Sequence, residues 1–295
     1  MNNSVEQMTR ISVVIPTLAG AVDGLVSALR GQTRPPDEIE VVRAVRPNGR
    51  ARNVGVARTS GEILVLMDDD ASPAQSDLIE KLVAPLLSDP GIGATGASRL
   101  IPADSSRFQR WTARQVARIE NPVVHEPRES VPGPGNYFYS DITSTCCALR
   151  RSVYNEIGGF DEELIQGVDT EFFVRMSRKG YRLRLVPDLW VYHPAPVNLR
   201  ALLHKHFRYG FGHAQLVARD LARARGPERW QPLLYFLVRT LMLLPHAFIP
   251  YSYADQRWRP GFKPLKALAS YTSALGYTWG RIRNRRTQGG VCGPS

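Results

Sequence analysis

The fold is decided by the stretch GEILVLMDDD at residues 61–70, in which an apolar run ends in three adjacent carboxylates. The run does not alternate with polar residues, so Ile63–Met67 is predicted to be a strand buried on both faces of a parallel sheet. Ligands of open α/β sheets bind just beyond the carboxyl ends of such strands. Asp68, Asp69 and Asp70 are therefore candidate ligands for Mg²⁺ or Mn²⁺, with a solvated acidic turn as the alternative.

Around this stretch, short apolar strands alternate with helical patterns, which predicts an α/β fold with a parallel sheet wrapped by helices. The predicted strands lie at 11–15, 39–45 and 63–67, and the predicted helices between them lie at 22–30 and 49–60. Further elements are predicted as a helix at 75–87 that Pro85 breaks, a strand at 93–98, an irregular segment at 102–139, a strand at 142–149, a short helix capped by Ser152, a helix at 170–179, and two strands at 182–186 and 189–193.

Basic charge is concentrated in the last third of the chain. The formal net charge is +11, yet residues 1–200 hold 23 Lys and Arg against 24 Asp and Glu, whereas residues 201–295 hold 15 against 3. The same region contains the apolar segment 232–250 and three of the five tryptophans. Basic, apolar and tryptophan-rich sequence indicates an anionic membrane surface as a partner and argues against nucleic acid, which is the alternative for a basic protein.

The apolar segment 232–250 does not resemble a membrane span, because Arg239 and Pro245 interrupt it. A spanning helix needs about 20 mainly apolar residues, and a central Arg costs it roughly 2.5 to 3.5 kcal/mol. We expect an interfacial or re-entrant helix here; a helix packed on the main domain is the alternative.

The cellular location is predicted from the cysteines and the N-terminus. Two of the three cysteines are the neighbours Cys146 and Cys147, and no metal-ligand spacing occurs, which favours a reducing compartment. Residues 1–10 lack the apolar core of a signal peptide. A cytoplasmic protein, peripheral on the inner face of the cell membrane, is expected.

Four stretches, taken together in this order, resemble the inverting family-2 glycosyltransferases of the GT-A fold. They are Ser12–Thr17; Ala51–Asn53 followed by residues 61–70; Arg150–Arg151 with residues 158–162; and residues 167–169 with Arg175, residues 180–182, Pro187 and Tyr192–His193. The resemblance implies a GT-A nucleotide-sugar transferase fold, with a Rossmann-like, mixed and mainly parallel sheet flanked by helices, over residues 11–212. It also implies a nucleotide-sugar half at 11–100 and an acceptor half at 101–212.

The resemblance assigns chemistry to four residues. Asp68 and Asp70 match the D-x-D motif, which binds the divalent cation that bridges the donor's two phosphates. His193 matches a further metal ligand of some members, although a structural or surface histidine is the alternative. Asp169 matches the general base that takes the proton of the acceptor hydroxyl, and N-capping the following helix is a compatible alternative role.

The candidate donor-binding residues are Pro16, Thr17, Arg43, Arg52, Asn53, Asp68, Asp69 and Arg208. Two positions depart from the family pattern. Val168 stands where Glu is usual, with Glu171 as the nearby carboxylate, and the segment 41–47 lacks the Asp that contacts the nucleobase. Arg43 and Arg46 are instead candidates for the donor phosphates.

The implied function is metal-dependent transfer of a hexose or deoxyhexose from a UDP-, GDP- or dTDP-sugar to an acceptor hydroxyl, on a lipid-linked glycan or surface polysaccharide. A catalytically altered nucleotide-sugar-binding protein, and a transferase acting on a soluble metabolite or peptide, are the alternatives. Outside the catalytic domain we expect a disordered N-terminus at 1–10, a helical, basic and apolar membrane-associating extension at 213–286, and a flexible tail at 287–295.

Overall fold

The computed structural model describes residues 9–18, 20–130, 141–222, 224–225, 232–250 and 260–288. The strands are β1 (Ile11–Thr17), β2 (Glu38–Arg43), β3 (Ile63–Met67), β4 (Ser72–Pro73), β5 (Ile92–Leu100), β6 (Arg128–Ser130), β7 (Cys146–Arg150) and β8 (Arg182–Tyr192). The helices are α1 (Asp23–Arg30), α2 (Asn48–Ala57), α3 (Leu78–Ser88), α4 (Arg107–Gln115), α5 (Arg151–Ile157), α6 (Val168–Arg178), α7 (Leu199–Ala218), α8 (Pro232–Leu241), α9 (Leu243–Phe248) and α10 (Pro264–Gln288).

The described strands form one mixed sheet in the order β2-β1-β3-β7-β5-β8-β4, with β6 added to β8. β1 pairs in parallel with β2 and with β3, and β5 pairs in parallel with β8. β7 runs antiparallel between β3 and β5. The predicted mixed sheet flanked by helices is confirmed.

The core lies on both faces of this sheet. Every residue of β3 is buried, with Leu64 and Leu66 packed in one apolar cluster and Val65 and Met67 in the other. A strand covered by helices on both sides has no solvent face, which explains why its sequence does not alternate. The prediction made from Ile63–Met67 is confirmed.

Three predictions of local structure are wrong. Pro85 does not break α3, which continues past it to Ser88. Ser152 does not cap α5, whose N-cap residue is Arg150. β8 is one strand instead of two: its pairing with β5 shifts register between Leu185 and Trp190, and Asp188 has a φ of 49°.

The segment predicted to be irregular contains α4 and β6. α4 begins with a capping box in which Ser106 accepts from the Gln109 backbone N–H and the Gln109 side chain accepts from the Ser106 N–H. The sequence signal for this helix was therefore present in the Ser-x-x-Gln pattern. Residues 131–139 of the same prediction lie outside the described residues.

The C-terminal helices are attached to the catalytic part through α7, which runs across the expected boundary at residue 212. α10 lies against α7, and glycines permit the close approach. A Cβ at Gly210 would overlap the Ser273 carbonyl oxygen, and one at Gly276 would overlap that of Phe207. The described helices α8, α9 and α10 agree with the helical extension expected at 213–286, within which α10 was not located as a separate helix. Disorder was expected at 1–10 and a flexible tail at 287–295; residues 1–8 and 289–295 lie outside the described residues, whereas α10 continues to Gln288.

α8 has an inner and an outer face. On its inner face Tyr235 packs edge-on against Tyr277, and Phe236 lies against Tyr271 of α10. Its outer face continues into α9 as an apolar row, which we call the outer stripe. The side chains of the outer stripe are between 54 and 71% exposed: Leu233, Leu237, Leu241, Leu244 and Phe248. Within the described residues, no helix combines the length and the apolar character that crossing a membrane requires.

Candidate active site

The pairing of β4 with β8 brings the acidic stretch after β3 and the histidine after β8 together. Ser72 of β4, two residues after Asp70, pairs with Tyr192 at the end of β8, which places His193 beside the acidic stretch. His193 Nε2 lies 3.3 Å from Asp70 Oδ1. One ligand atom each from Asp68, Asp70 and His193 can be chosen so that all three lie within 4.8 Å of one another.

The three adjacent carboxylates lie in three different surroundings, and two of them have charged or hydrogen-bonding partners. Asp68 Oδ1 accepts a hydrogen bond of 2.7 Å from Arg52 Nη2. Asp69 lies toward the loop after β1, where a Cβ on Gly20 would be 2.8 Å from its Oδ2. Asp70 pairs with His193. The three side chains therefore contact different parts of the protein although they are consecutive in sequence.

The pKa of the Asp70 carboxyl lies below its ordinary value. Burial by itself would raise this pKa, but the hydrogen bond and charge of His193 and the charge of Lys205 together outweigh it. Asp70 is therefore held as a carboxylate, which is the form that binds metal. Lys205, on the second turn of α7, was not among the predicted site residues, and its neighbourhood with Asp70 exists in the tertiary structure alone.

Two carboxylates and one imidazole fit a hard divalent cation. Oxygen ligands suit Mg²⁺ and Mn²⁺, and a single histidine is compatible with Mn²⁺. The site is partly open: the Asp68 side chain is 25% exposed and that of Asp70 52%. The fold thus brings together the three residues that were predicted to bind metal, and their ligand atoms suit Mg²⁺ or Mn²⁺.

The predicted donor residues on β1 and β2 lie beside this cluster. Register places Pro16 opposite Val42 and Thr17 opposite Arg43 at the carboxyl ends of the two strands. Thr17 Oγ1 accepts a 2.8 Å hydrogen bond from the Gly20 N–H, and Arg43 donates to the Gly20 carbonyl at 3.3 Å. The Arg43 side chain thus reaches back over the loop whose Gly20 is next to Asp69.

Asn53 holds the turn that follows α5. Its amide donates to the carbonyl of Phe160 and to Glu162, and its oxygen accepts from the Phe160 N–H and the Tyr154 hydroxyl. Gly158 and Gly159 in this turn have φ values of 87° and 72°, which favour glycine. The predicted contact of Asn53 with the donor stays a prediction, and in this arrangement every hydrogen-bonding position of the amide is already used.

Asp169 lies in the first turn of α6, not at its N-cap. The N-cap is Gly167, with a φ of 80°, and the Asp169 carboxylate accepts from the Thr170 N–H at 2.8 Å. Asp169 shares an environment with the acidic stretch: burial raises the pKa of the Cys147 thiol to about 12, and the charges of Asp169 and Asp68 add to this against Arg52. Because Gly167 is the N-cap, the interpretation of Asp169 as the N-cap residue is wrong; its carboxylate, like that of Asp68, lies close enough to Cys147 of β7 to raise the pKa of that thiol.

The residues around Asp169 explain the departure from the family pattern. Val168 is buried in the core, where its side chain lies close to Gly49 of α2. Glu171 is also buried, and Arg175 binds both of its oxygens at 2.5 and 2.8 Å. Arg175 continues to the carbonyls of Ile157 and Gly159. Glu171 is thus committed to a structural ion pair and does not replace the missing Glu beside Asp169.

α7 contributes a basic surface next to the site. Arg208 is exposed and donates to the Ile165 carbonyl at 3.2 Å, so its predicted reach to the donor stays a prediction. His206 is uncharged near neutral pH, because burial, together with the charges of Lys205 and Arg225, lowers its pKa to about 4. The first two turns of α7 border an open cavity of about 810 Å³, with Arg200 and His204 in its wall. This cavity begins a few residues after His193.

Comparison with known proteins identifies the family. Residues 1–212 match the family described as glycosyltransferase like family 2. The glycosyltransferase AglE of Haloferax volcanii is 27% identical over 231 residues, which cover 77% of this chain and 70% of that protein. The O-antigen chain rhamnosyltransferase RfbN of Salmonella typhimurium is 26% identical over 247 residues, with coverage of 74% and 77%. The O-antigen biosynthesis protein RfbC of Myxococcus xanthus is 25% identical over 213 residues, which are 64% of this chain and 16% of that protein.

Among solved structures, the mannosyltransferase PcManGT of Pyrobaculum calidifontis, in complex with GDP-Man and Mn²⁺, aligns with a TM-score of 0.56. Its sequence identity is 16%, and the alignment covers 94% of this chain and 88% of that one, so the likeness shows the fold. The matched family residues make up well over half of the chain. This protein therefore belongs to glycosyltransferase family 2 and is a glycosyltransferase with the GT-A fold.

Proposed function

We propose that this glycosyltransferase moves a hexose or deoxyhexose from a nucleoside diphosphate donor to an acceptor hydroxyl with inversion, and that it depends on Mg²⁺ or Mn²⁺. The observation that carries the proposal is the convergence of Asp68, Asp70 and His193 at the carboxyl ends of β3 and β8, next to the loop after β1. This edge is where α/β sheets bind nucleotides. The solved structure of the mannosyltransferase PcManGT, which has the same fold, is a complex with GDP-Man and Mn²⁺.

In the proposed reaction, the Asp169 carboxylate accepts the proton of the acceptor hydroxyl as its oxygen forms the bond to the anomeric carbon. The bond from that carbon to the donor phosphate breaks on the opposite face, and the diphosphate leaves with the electron pair. One carboxylate suffices, because a diphosphate is a good leaving group that needs no separate acid. Asp68, Asp70 and His193 would hold a divalent cation, which would supply positive charge for the departing diphosphate.

Positive side chains of the chain add to this stabilisation. Lys205 lies close enough to Asp70 to lower its pKa, and Arg43 lies over the Gly20 loop. Both are candidates to contact the diphosphate, because Lys and Arg bind phosphate oxygens with charged N–H groups. With no carboxylate in segment 41–47, nucleobase recognition falls to other groups, so UDP-, GDP- and dTDP-sugars all remain candidate donors.

The proposed acceptor is a lipid-linked glycan or surface polysaccharide, presented to a protein that is peripheral on the inner face of the membrane. Two relatives are named for O-antigen synthesis. The outer stripe of α8 and α9 supports membrane contact, because a row of exposed large apolar side chains is uncommon on a soluble surface. The excess of basic residues after residue 200 adds attraction to anionic lipid.

A donor screen tests the proposal. The purified protein is incubated with Mn²⁺ or Mg²⁺ and a panel of UDP-, GDP- and dTDP-sugars, and release of the nucleoside diphosphate is followed. We expect slow, metal-dependent hydrolysis of one donor, abolished by chelation and in Asp70→Ala. Binding of a donor without turnover, with or without lipid acceptors, would instead support a nucleotide-sugar-binding protein, whereas turnover with soluble acceptors alone would overturn the membrane acceptor.

A further inference from the structure

Arg52 is the largest fully buried side chain in the described part of the protein, with 1% of its surface exposed. The guanidinium lies beneath the acidic stretch, on α2. Its Nη2 donates to Asp68 Oδ1 at 2.7 Å and to the Ser144 carbonyl at 3.3 Å. Buried arginines are rare unless they are paired, so this contact with a candidate metal ligand requires an explanation.

The contacts of Arg52 tie together two segments at the end of the sheet. Asp68 follows β3, and Ser144 precedes β7, the strand that pairs with β3. The backbone reinforces this junction, because the Asp68 N–H donates to the Thr145 carbonyl at 3.0 Å. Arg52 uses one oxygen of the Asp68 carboxylate, which leaves acceptor positions on the carboxylate for a cation. Because Arg52 is buried, it approaches Asp68 from the interior of the protein.

Contacts with the turn after α5 hold Arg52 in place. Its guanidinium lies 5.8 Å from the ring centroid of Phe160, in the turn that Asn53 fixes through both backbone groups of the same residue. A Cβ at Gly49, one turn earlier on α2, would overlap the Asp161 carbonyl oxygen. α2 is therefore clamped to the turn after α5, and a residue on α2 has little freedom to move.

One polar atom of Arg52 is left unsatisfied. Its Nε is buried and has no hydrogen-bond partner among the residues that the structure describes. An unpaired buried donor is unfavourable, and an apolar side chain of similar length would avoid that cost. An arginine at this position is therefore better explained by the hydrogen bond of its Nη2 to Asp68 than by a contribution to stability.

We propose that Arg52 is a positioning residue that fixes the Asp68 carboxylate in the orientation required to share a divalent cation with Asp70 and His193. This inference rests on the proposed metal-dependent function, and it replaces the expectation that Arg52 contacts the donor. Partners that orient ligating groups in this way change metal affinity by about 10- to 100-fold when they are removed. The role is exerted on the metal site before any sugar donor binds.

The test is direct measurement of Mn²⁺ affinity, by calorimetry or by electron paramagnetic resonance, in the absence of donor. We expect Arg52→Met to bind Mn²⁺ about 10- to 100-fold more weakly than the unmodified protein. Arg52→Lys, which keeps a buried positive charge but loses the planar fork, is expected to be weakened less. Arg58→Met is the matched control: Arg58 caps the same helix, is exposed and pairs with Glu40, so its Mn²⁺ affinity should not change.

Two further readouts, thermal unfolding and metal-free nucleotide affinity, separate the outcomes. Thermal unfolding identifies any variant that fails to fold, and Arg52→Lys carries the test if Arg52→Met does so. Unchanged Mn²⁺ affinity in a folded Arg52 variant would overturn the inference. Metal-free affinity for UDP or GDP that falls while Mn²⁺ affinity is retained would assign Arg52 to the donor instead. Absence of Mn²⁺ binding by the unmodified protein would refute the proposed metal dependence itself.

Discussion

We call the carboxyl ends of β3 and β8, with the adjoining loop after β1, the cleft edge of the sheet. The cleft edge and the outer stripe of α8 and α9 depart from ordinary protein surfaces in opposite directions. At the cleft edge, charged groups are drawn partly out of water: Arg52 is buried beneath Asp68, and Asp70 is paired with His193. On the outer stripe, leucines that would normally be buried are left more than half exposed. Buried charge and exposed apolar surface are the informative exceptions to the usual distribution of side chains.

The contrast teaches that the two regions are built for different partners. Carboxylates held close together against their repulsion are suited to a cation and a diphosphate. An apolar row on a helix face, in the most basic part of the chain, is suited to the boundary between lipid headgroups and acyl chains. The two regions are connected through α7. This helix carries Lys205 near Asp70 and packs against α10, on which α8 lies.

The largest effect is expected from Asp169→Asn, which tests the cleft. A general base contributes about 100- to 10,000-fold to rate, so transfer should fall within that range. Donor and Mn²⁺ binding, measured by calorimetry, should stay at the level of the unmodified protein, because Asp169 is not among the clustered ligands. Transfer within a few-fold of the original rate would assign the base elsewhere.

A smaller effect is expected from removing apolar groups of the outer stripe. Leu241→Ser, and the double variant with Leu237→Ser, should weaken cosedimentation with phosphatidylglycerol-rich vesicles by roughly tenfold or more, since a buried leucine is worth about 1.5 to 3 kcal/mol. Stability should change by less than about 0.5 kcal/mol, as for other exposed positions. Leu87→Ser, at a half-exposed leucine of α3, is the control. Equal binding by all variants would contradict membrane contact through this face.

The smallest effect is expected from Glu38, a charged residue with a structural role. It lies at the amino end of β2, whereas the candidate site lies at the carboxyl ends of the strands. Glu38, the first residue of β2, accepts from the Ser12 hydroxyl and from the hydroxyl and N–H of Ser60. These hydrogen bonds, with Ser12 first, and the charge of Arg10 lower the pKa of Glu38 to about 2. Glu38→Gln should cost roughly 1 kcal/mol at neutral pH, measured by urea unfolding, and leave transfer unchanged.

The pH dependence of this cost follows from the direction of the shift. The pKa of Glu38 is lower in the folded state, from an ordinary value of 4.5, so its contribution is fully present above pH 4.5. That contribution declines as the pH falls from 4.5 toward 2, where the folded-state carboxylate is itself protonated. The difference in stability between Glu38→Gln and the unmodified protein should therefore shrink over this interval. A difference that stays constant with pH would show that the charge is not responsible.

Much of the first half of the fold was predictable because its patterns are local. The apolar run at 63–67 and the glycines after neighbouring helices identified strands and helices to within a few residues. Predictions failed where a signal was weak or did not have its usual effect: the capping box of α4, Pro85 of α3, and the irregular register of β8. α10 lies in the extension that was expected to be helical, but its packing on α7 was not predicted, because this packing depends on glycine contacts that no local pattern reveals.

By itself, the sequence determined that three carboxylates end a buried strand, that Asp169 follows Gly167 near the start of a helix, and that basic and apolar residues collect in the last third of the chain. The tertiary structure decided which groups these residues meet. The pairing of β4 with β8 brings His193 to Asp70, and α2 carries Arg52 to Asp68. It also decided which face of α8 is left to solvent. Local pattern governs backbone conformation through nearest neighbours, whereas partners distant in the chain depend on strand register and helix packing, which arise when the whole chain is folded.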